Sequence, residues 1–150
     1  MDKIKSCFMH EQPDFYFEVI VDDQNIGTAR MLSKYDLGII NRKCGMKLRL
    51  DDDGNPKTVK VKDKEYPDME WDNQAMIDWK ILLSFGGVDG GINYRVGEEH
   101  WNLTDKDGKI AQVNIRNIRF LDPNLKARIF TKITKKQAEW ENNGEAIAKN

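Results

Sequence analysis

The chain is poor in the residues on which small proteins build cross-links and metal centres, with two cysteines, two histidines and four prolines in 150 residues. Cys7 and Cys44 cannot form the multi-pair framework of a small secreted domain and fit reduced thiols. A zinc site needs four ligands in paired spacing; Cys7 and His10 make one pair, but Cys44 and His100 stand apart. A Cys7–His10 nucleophile pair has no neighbour to orient it. No apolar run approaches the roughly 20 residues that cross a bilayer. The opening "MDKIKSCFMHEQPDF" has neither an apolar stretch nor a small-residue cleavage site, so a soluble protein of the cytoplasm is expected, with no membrane contact. Net charge is scarce too: 24 Lys and Arg against 25 Asp and Glu leave −1. No overall basic field marks nucleic acid as the partner.

What is present is charge of both signs, 33% of residues against 39% hydrophobic, which predicts a compact core under a strongly solvated surface. The length suits a single domain, 1–150, with residues 1–12 and 142–150 as mobile ends. No internal repeat divides it.

The patterning predicts an α+β domain. In "FYFEVIVDDQNIGTARML" Phe15, Phe17, Val19 and Val21 share one face, while Tyr16 and Ile20 make the other partly apolar, the signature of a strand covered on both sides. Asp22–Asn25 is a turn, and Ile26–Met31 returns as the second strand. Ser33 and Asp36 form a capping box for a short helix that Gly45 ends. Met46, Leu48 and Leu50, then Val59 and Val61 beyond "DDDGNP", alternate with polar residues and predict an antiparallel hairpin with one face buried. Asp63–Asp72 reads as a connecting loop, with Asp72 capping the next helix. "NQAMIDWKILLSF" is apolar nearly all round, with Asn73, Lys80 and Ser84 on one narrow edge, so it must be buried by the domain or by a partner. Asp78 within it needs a donor or an interface, and Trp79 belongs to the core or to a partner interface. A short helix follows, then a long one capped by Asp122 with Pro123 in its first turn. Together these give a small antiparallel sheet, in which the N-terminal strand and the hairpin join, packed by helices, with a helical C-terminal third.

The sites that invite chemistry fall short of it. Counting an EF-hand back from Gly108 or from Gly54 puts Leu103 or Arg49 at the first ligand position, so both Asp-Gly loops read as turns and neither as a metal site. "GGVDGG" follows a helix and precedes no Gly-Lys-Ser/Thr, unlike a phosphate loop. Trp71 and Trp79 sit at the apolar helix rather than along a basic groove, against a nucleic-acid stacking role. No catalytic residue and no cofactor are expected.

The run Trp101-Asn102-Leu103-Thr104-Asp105-Lys106-Asp107-Gly108-Lys109, followed by Ile115, Ile118, Leu121 and a terminal helix, resembles tail-assembly proteins of long-tailed phages and prophages. That resemblance implies a tail assembly chaperone that acts in the host cytoplasm. It would hold the largely helical tape measure protein and recruit tail tube subunits, without catalysis. The alternatives are a virion tail or neck subunit, or a small phage inhibitor of a host protein. In the terminal helix Leu125, Ile129, Ile133 and Trp140 form one apolar strip and Ala127 with Phe130 begins another, while Lys126 to Lys136 would steer an acidic helical partner. Lys126, Ala127, Phe130, Lys136 and Trp140 are therefore the expected partner-binding residues, with self-association as a further contact. Beyond Thr134 the sequence turns polar, and its last stretch, "ENNGEAIAKN", is expected to fray.

Overall fold

The computed structural model describes residues 8–12, 14–86 and 101–149, those from 143 on by their backbone alone. Cys7, His100 and the glycines from Gly87 to Gly91 lie outside the described residues. The fold is α+β.

A short 3-10 turn, Met9–Glu11, leads into strands β1 (Tyr16–Val21) and β2 (Gln24–Arg30), which pair antiparallel from Tyr16↔Arg30 to Val21↔Gln24. Asp22 and Asp23 take φ of 51° and 63°, the left-handed pair that a two-residue hairpin turn requires. A register shift after Val19 bulges Ile26 out of the ladder and into the core, where the added twist suits its burial. Val19, Val21, Ile26 and Ala29 are buried on one face, but Glu18 and Ile20 on the other are exposed. β1 is thus covered on one side rather than two, because the helices form a single layer over this hairpin.

The capping box forms as its residues dictate: the Asp36 amide donates to Ser33 Oγ (3.2 Å) and the Ser33 amide to Asp36 Oδ2 (2.8 Å), starting helix α1 (Lys34–Cys44). Gly45, at φ 61°, ends it. Strands β3 (Met46–Leu48), β4 (Thr58–Val61), β5 (Lys64–Pro67) and β6 (Met69–Trp71) then leave and return to the domain. The Asp72 carboxylate receives the Ala75 amide (3.1 Å) and starts helix α2 (Asn73–Ser84). From Trp101 a hairpin leads to α3 (Ile115–Arg119), capped by Asn114, and to α4 (Pro123–Lys149), whose first turn Asp122 holds through the Asn124 and Leu125 amides.

The main core lies between the β1–β2 hairpin, α2 and α4: Ile81, Leu82, Phe85, Trp101, Ile118, Ile129 and Ile133 close over Val19, Val21 and Ala29. A second cluster of Leu32, Ile39, Ile40 and Leu83 joins α1 to α2, and half-buried Trp79 packs against both. Trp101 continues the hairpin edge, bridging Gly27 while the Asn102 amide donates to Ile26 O (2.7 Å). Asp78 meets its donor, Lys126 Nζ at 2.9 Å.

Among the described residues the expected single sheet is not formed. β1–β2, β3–β6 and β4–β5 are three separate two-stranded sheets, so the hairpin near Gly54 shares no sheet with the N-terminal strand. The segment from Asp63 to Asp72, read as a loop, forms β5 and β6 instead. Its turn, Lys62-Asp63 at φ 50° and 65°, has the hairpin geometry without the glycine that usually announces it.

Candidate protein-binding surface

The segment between Gly45 and Asp72 is an arm built of backbone pairing rather than of a core. Its stem pairs Met46↔Trp71, Lys47↔Glu70 and Leu48↔Met69. An inner hairpin pairs Leu50 with Pro56, and an outer one runs from Thr58↔Pro67 to Val61↔Lys64. The three pieces meet in a ring of backbone hydrogen bonds. Arg49 N donates to Asp68 O (2.8 Å), Asp68 N to Lys57 O (2.9 Å) and Lys57 N to Arg49 O (2.8 Å). These satisfy the polar groups that a junction of strands would otherwise leave open.

Since opposite residues share a face, Met46, Leu48, Met69 and Trp71 form one apolar face of the stem. Lys47 and Glu70 lie on the other, in an ion pair of 4.0 Å that Arg49 extends to Glu70 (3.6 Å) and Asp68 (3.9 Å). Val59, Val61 and Tyr66 likewise share a face of the outer hairpin. The predicted alternation is present, but the predicted pairing is not: Met46–Leu48 pairs with Met69–Trp71 and Thr58–Val61 with Lys64–Pro67, because each strand finds its partner in the segment expected to be a loop. The predicted burial is absent too. Every residue from 46 to 67 is exposed, and no residue between Ile40 and Ile81 belongs to the buried apolar core. Eight of the thirteen large apolar side chains exposed among the described residues lie in this arm, a concentration that makes it the candidate interaction surface. At its root Trp71, half exposed at 54%, borders a cleft of about 190 Å³ with Ile40, Cys44 and Met76. Burial raises the Cys44 thiol above its usual range, the Asp72 and Asp78 charges add to this against Lys80, and the group there is a neutral packing thiol.

The two Asp-Gly loops are one turn made twice. Asp51 Oδ1 receives the amides of Asp53 and Asn55, both at 2.9 Å; Asp105 Oδ1 receives those of Asp107 (2.8 Å) and Lys109 (3.1 Å). Gly54 and Gly108 take φ of 82° and 78°, and each donates its amide to the first aspartate's carbonyl. In each turn one carboxylate oxygen of the first aspartate is engaged by two N–H donors, the role that an aspartate opening a tight turn takes. The run Trp101–Lys109 is thereby a folding element: Thr104 bridges Ile110, and Trp101 Nε1 donates to Ala111 O at 2.6 Å. Millimolar calcium or zinc is expected to leave the melting temperature unchanged within a degree or so; a metal-dependent rise at sub-millimolar concentration would show that the carboxylates reorganise around an ion.

The terminal helix is placed differently from its sequence reading. Leu125, Ile129 and Ile133 pack on the core, and so does half-buried Phe130, over whose ring Lys80 Nζ lies at 5.7 Å. Lys126 is turned inward to Asp78, in a pair with both side chains largely buried. Ala127 is exposed and lines, with Ile20, Thr131 and Lys132, a groove of about 310 Å³ rimmed by the Arg128–Asp22 ion pair. Exposed Lys136 and half-buried Trp140 border another recess with Asp14, Tyr16 and Met31. The five residues expected to bind a partner therefore fall on different sides of the helix, with Lys126 and Phe130 engaged within the domain. The helical backbone also continues to Lys149, through the stretch "ENNGEAIAK" that was expected to fray. Gln137 clamps it, its Oε1 receiving the Leu32 amide (2.8 Å) and its Nε2 donating to Leu32 O (3.0 Å).

The arm's alternation is legible in the sequence, but the same alternation marks a core face as readily as an exposed one. The one signal of its exposure was the density of charge between the apolar residues. Set against known protein families, curated proteins and solved structures, the chain matches none of them.

Proposed function

We propose that this protein works by binding other proteins and not by catalysis, as a tail assembly chaperone that holds a tape measure protein in the host cytoplasm and helps recruit tube subunits. The specific assignment follows from the resemblance of Trp101–Lys109 to tail-assembly proteins. The binding reading is carried by one observation, the arm from Met46 to Trp71 with its uncovered apolar faces. A ribbon of two strands cannot bury its own side chains, and an apolar face bordered by charge suits the apolar stripe of a helical client. Ala127, Lys136 and Trp140 of the terminal helix provide a secondary contact, since the remaining apolar strip of that helix already closes the core.

The free edges of β3–β6 and β4–β5 also favour a second reading, a virion tail or neck subunit whose arm is buried between neighbours in the finished particle. Finding the protein in purified virions would select it.

The test is to co-express three forms with the tape measure protein of the same genome and measure how much of it stays soluble. One is intact, one has residues 46–71 replaced by two glycines, and one is cut after Ile133. The excision is geometrically sound because the Asp72 amide already lies 3.4 Å from Gly45 O. The intact form is expected to keep the client soluble, the excised form to lose most of that rescue, and the cut form to lose less. Equal rescue by the excised form would remove the arm from the mechanism, and no rescue by the intact form would overturn the chaperone reading.

A further inference from the structure

The arm's charges are balanced but not mixed. Lys47, Arg49, Asp68 and Glu70 neutralise one another along the stem. Outside that network the inner turn carries Asp51, Asp52 and Asp53, and the outer hairpin carries Lys60, Lys62 and Lys64, with Lys57 at its base and Asp63 and Glu65 as its only acids. An acidic lobe and a basic lobe thus project from one junction, flanking the apolar residues Leu50, Val59, Val61 and Tyr66, all exposed. A partner of one sign is attracted by one lobe and repelled by the other. A second copy turned by a two-fold rotation places acid against base twice, which is the condition for an isologous interface.

We propose that the arm is a self-association surface, on which the arm of a second copy of this chain packs, acidic turn against lysine hairpin, covering the apolar faces of both. Two ribbons stacked face to face supply each other with the second layer that neither has alone. The pairing is independent of the tail-assembly reading, since it concerns the purified protein by itself; for a client-binding arm it would shield the apolar faces between copies until the client displaces one.

The geometry provides a charge-exchange test. Asp52→Lys with Asp53→Lys makes both lobes of a copy basic; Lys62→Glu with Lys64→Glu makes both acidic. Asp51 is left in place because its carboxylate holds the inner turn. In analytical ultracentrifugation at low salt the native chain is expected to be a dimer that dissociates as salt is raised. Each double variant alone should dissociate about a hundredfold more readily, because like lobes then face each other. An equimolar mixture of the two variants should dimerise again, since every lobe of one meets its opposite on the other. Recovery in the mixture also shows that both variants are folded.

A native chain that is monomeric at micromolar to millimolar concentration overturns the proposal. Variants that dimerise alone as well as the native chain would place the interface elsewhere, and a mixture that stays monomeric would refute the two-fold pairing of lobes. Tape measure solubility in co-expression is a separate readout, so failure of self-association and failure of the chaperone reading are distinguishable.

Discussion

Alanine in place of Asp36 is expected to lower the stability of the protein by about 3–5 kcal/mol, the scale for leaving half of a buried ion pair. Arg30 and Asp36 are 3% and 1% exposed and meet in a two-pronged contact, Nη1 to Oδ2 at 2.8 Å and Nη2 to Oδ1 at 3.1 Å. Asp36 Oδ2 also receives the Ser33 amide and hydroxyl, and Arg30 Nη1 donates to Met31 O at 3.1 Å. The pair therefore ties the end of β2 to the first turn of α1, and its loss removes the capping box together with the counter-charge. Replacing both members with apolar residues, Arg30→Met with Asp36→Leu, should restore most of the loss, because no charge is then stranded. Chemical denaturation of the two variants checks this; a double variant as unstable as Asp36→Ala would show that the polar network itself is required.

The same carboxylate sets an acid limit. Burial alone would raise its pKa, but the hydrogen bond from Arg30, those from Ser33 and the Arg30 charge outweigh burial and hold it below the ordinary 3.8. A lowered folded value means that the contribution is complete above the unfolded value and is lost as pH falls through the folded one. Native stability should therefore decline below 3.8 more steeply than that of the double apolar variant. Parallel acid profiles would contradict the assignment.

Trp101→Ala should cost a similar amount, about 3–5 kcal/mol for an aromatic ring removed from a core. The ring is 1% exposed and lies 5.9 Å from the Phe85 centroid, with its indole N–H bonded to Ala111 O. It joins the edge of β2 to the turn that leads to α3, so the cavity opens where three elements meet. Trp71→Ala is the internal comparison: its ring is 54% exposed, and its loss should change stability by only about 0.5 kcal/mol, as at ordinary surface positions. Tryptophans alike in sequence thus separate into a core residue and an exposed one. Denaturation midpoints within error of each other for the two variants would refute that separation.

Much of this was legible in one dimension. Ser33, Asp72 and Asp122 start their helices because a short acceptor side chain reaches amides two or three residues ahead, a matter of local geometry. The two Asp-Gly turns and the alternation of Met46, Leu48, Val59 and Val61 are local in the same sense. Chemistry at Arg30 was not legible: nothing in a strand pattern says that its guanidinium turns inward to a carboxylate six positions on. Lys126 read as a free cation because the acid it meets, Asp78, is 48 residues away. Gln137 reads as one more polar residue on a solvated helix because the backbone it clamps, at Leu32, is 105 residues away.

The arm shows the division most clearly. Alternation by itself determined which of its side chains share a face, since successive residues of a strand point to opposite sides whatever surrounds them. What covers that face is decided by where the remaining elements pack, and α2, α3 and α4 close on β1 and β2 instead. Periodicity is a property of the backbone and can be read from the sequence. Burial depends on long-range contacts between elements, and only the tertiary structure decided that the second hydrophobic face of this protein stays uncovered by its own chain.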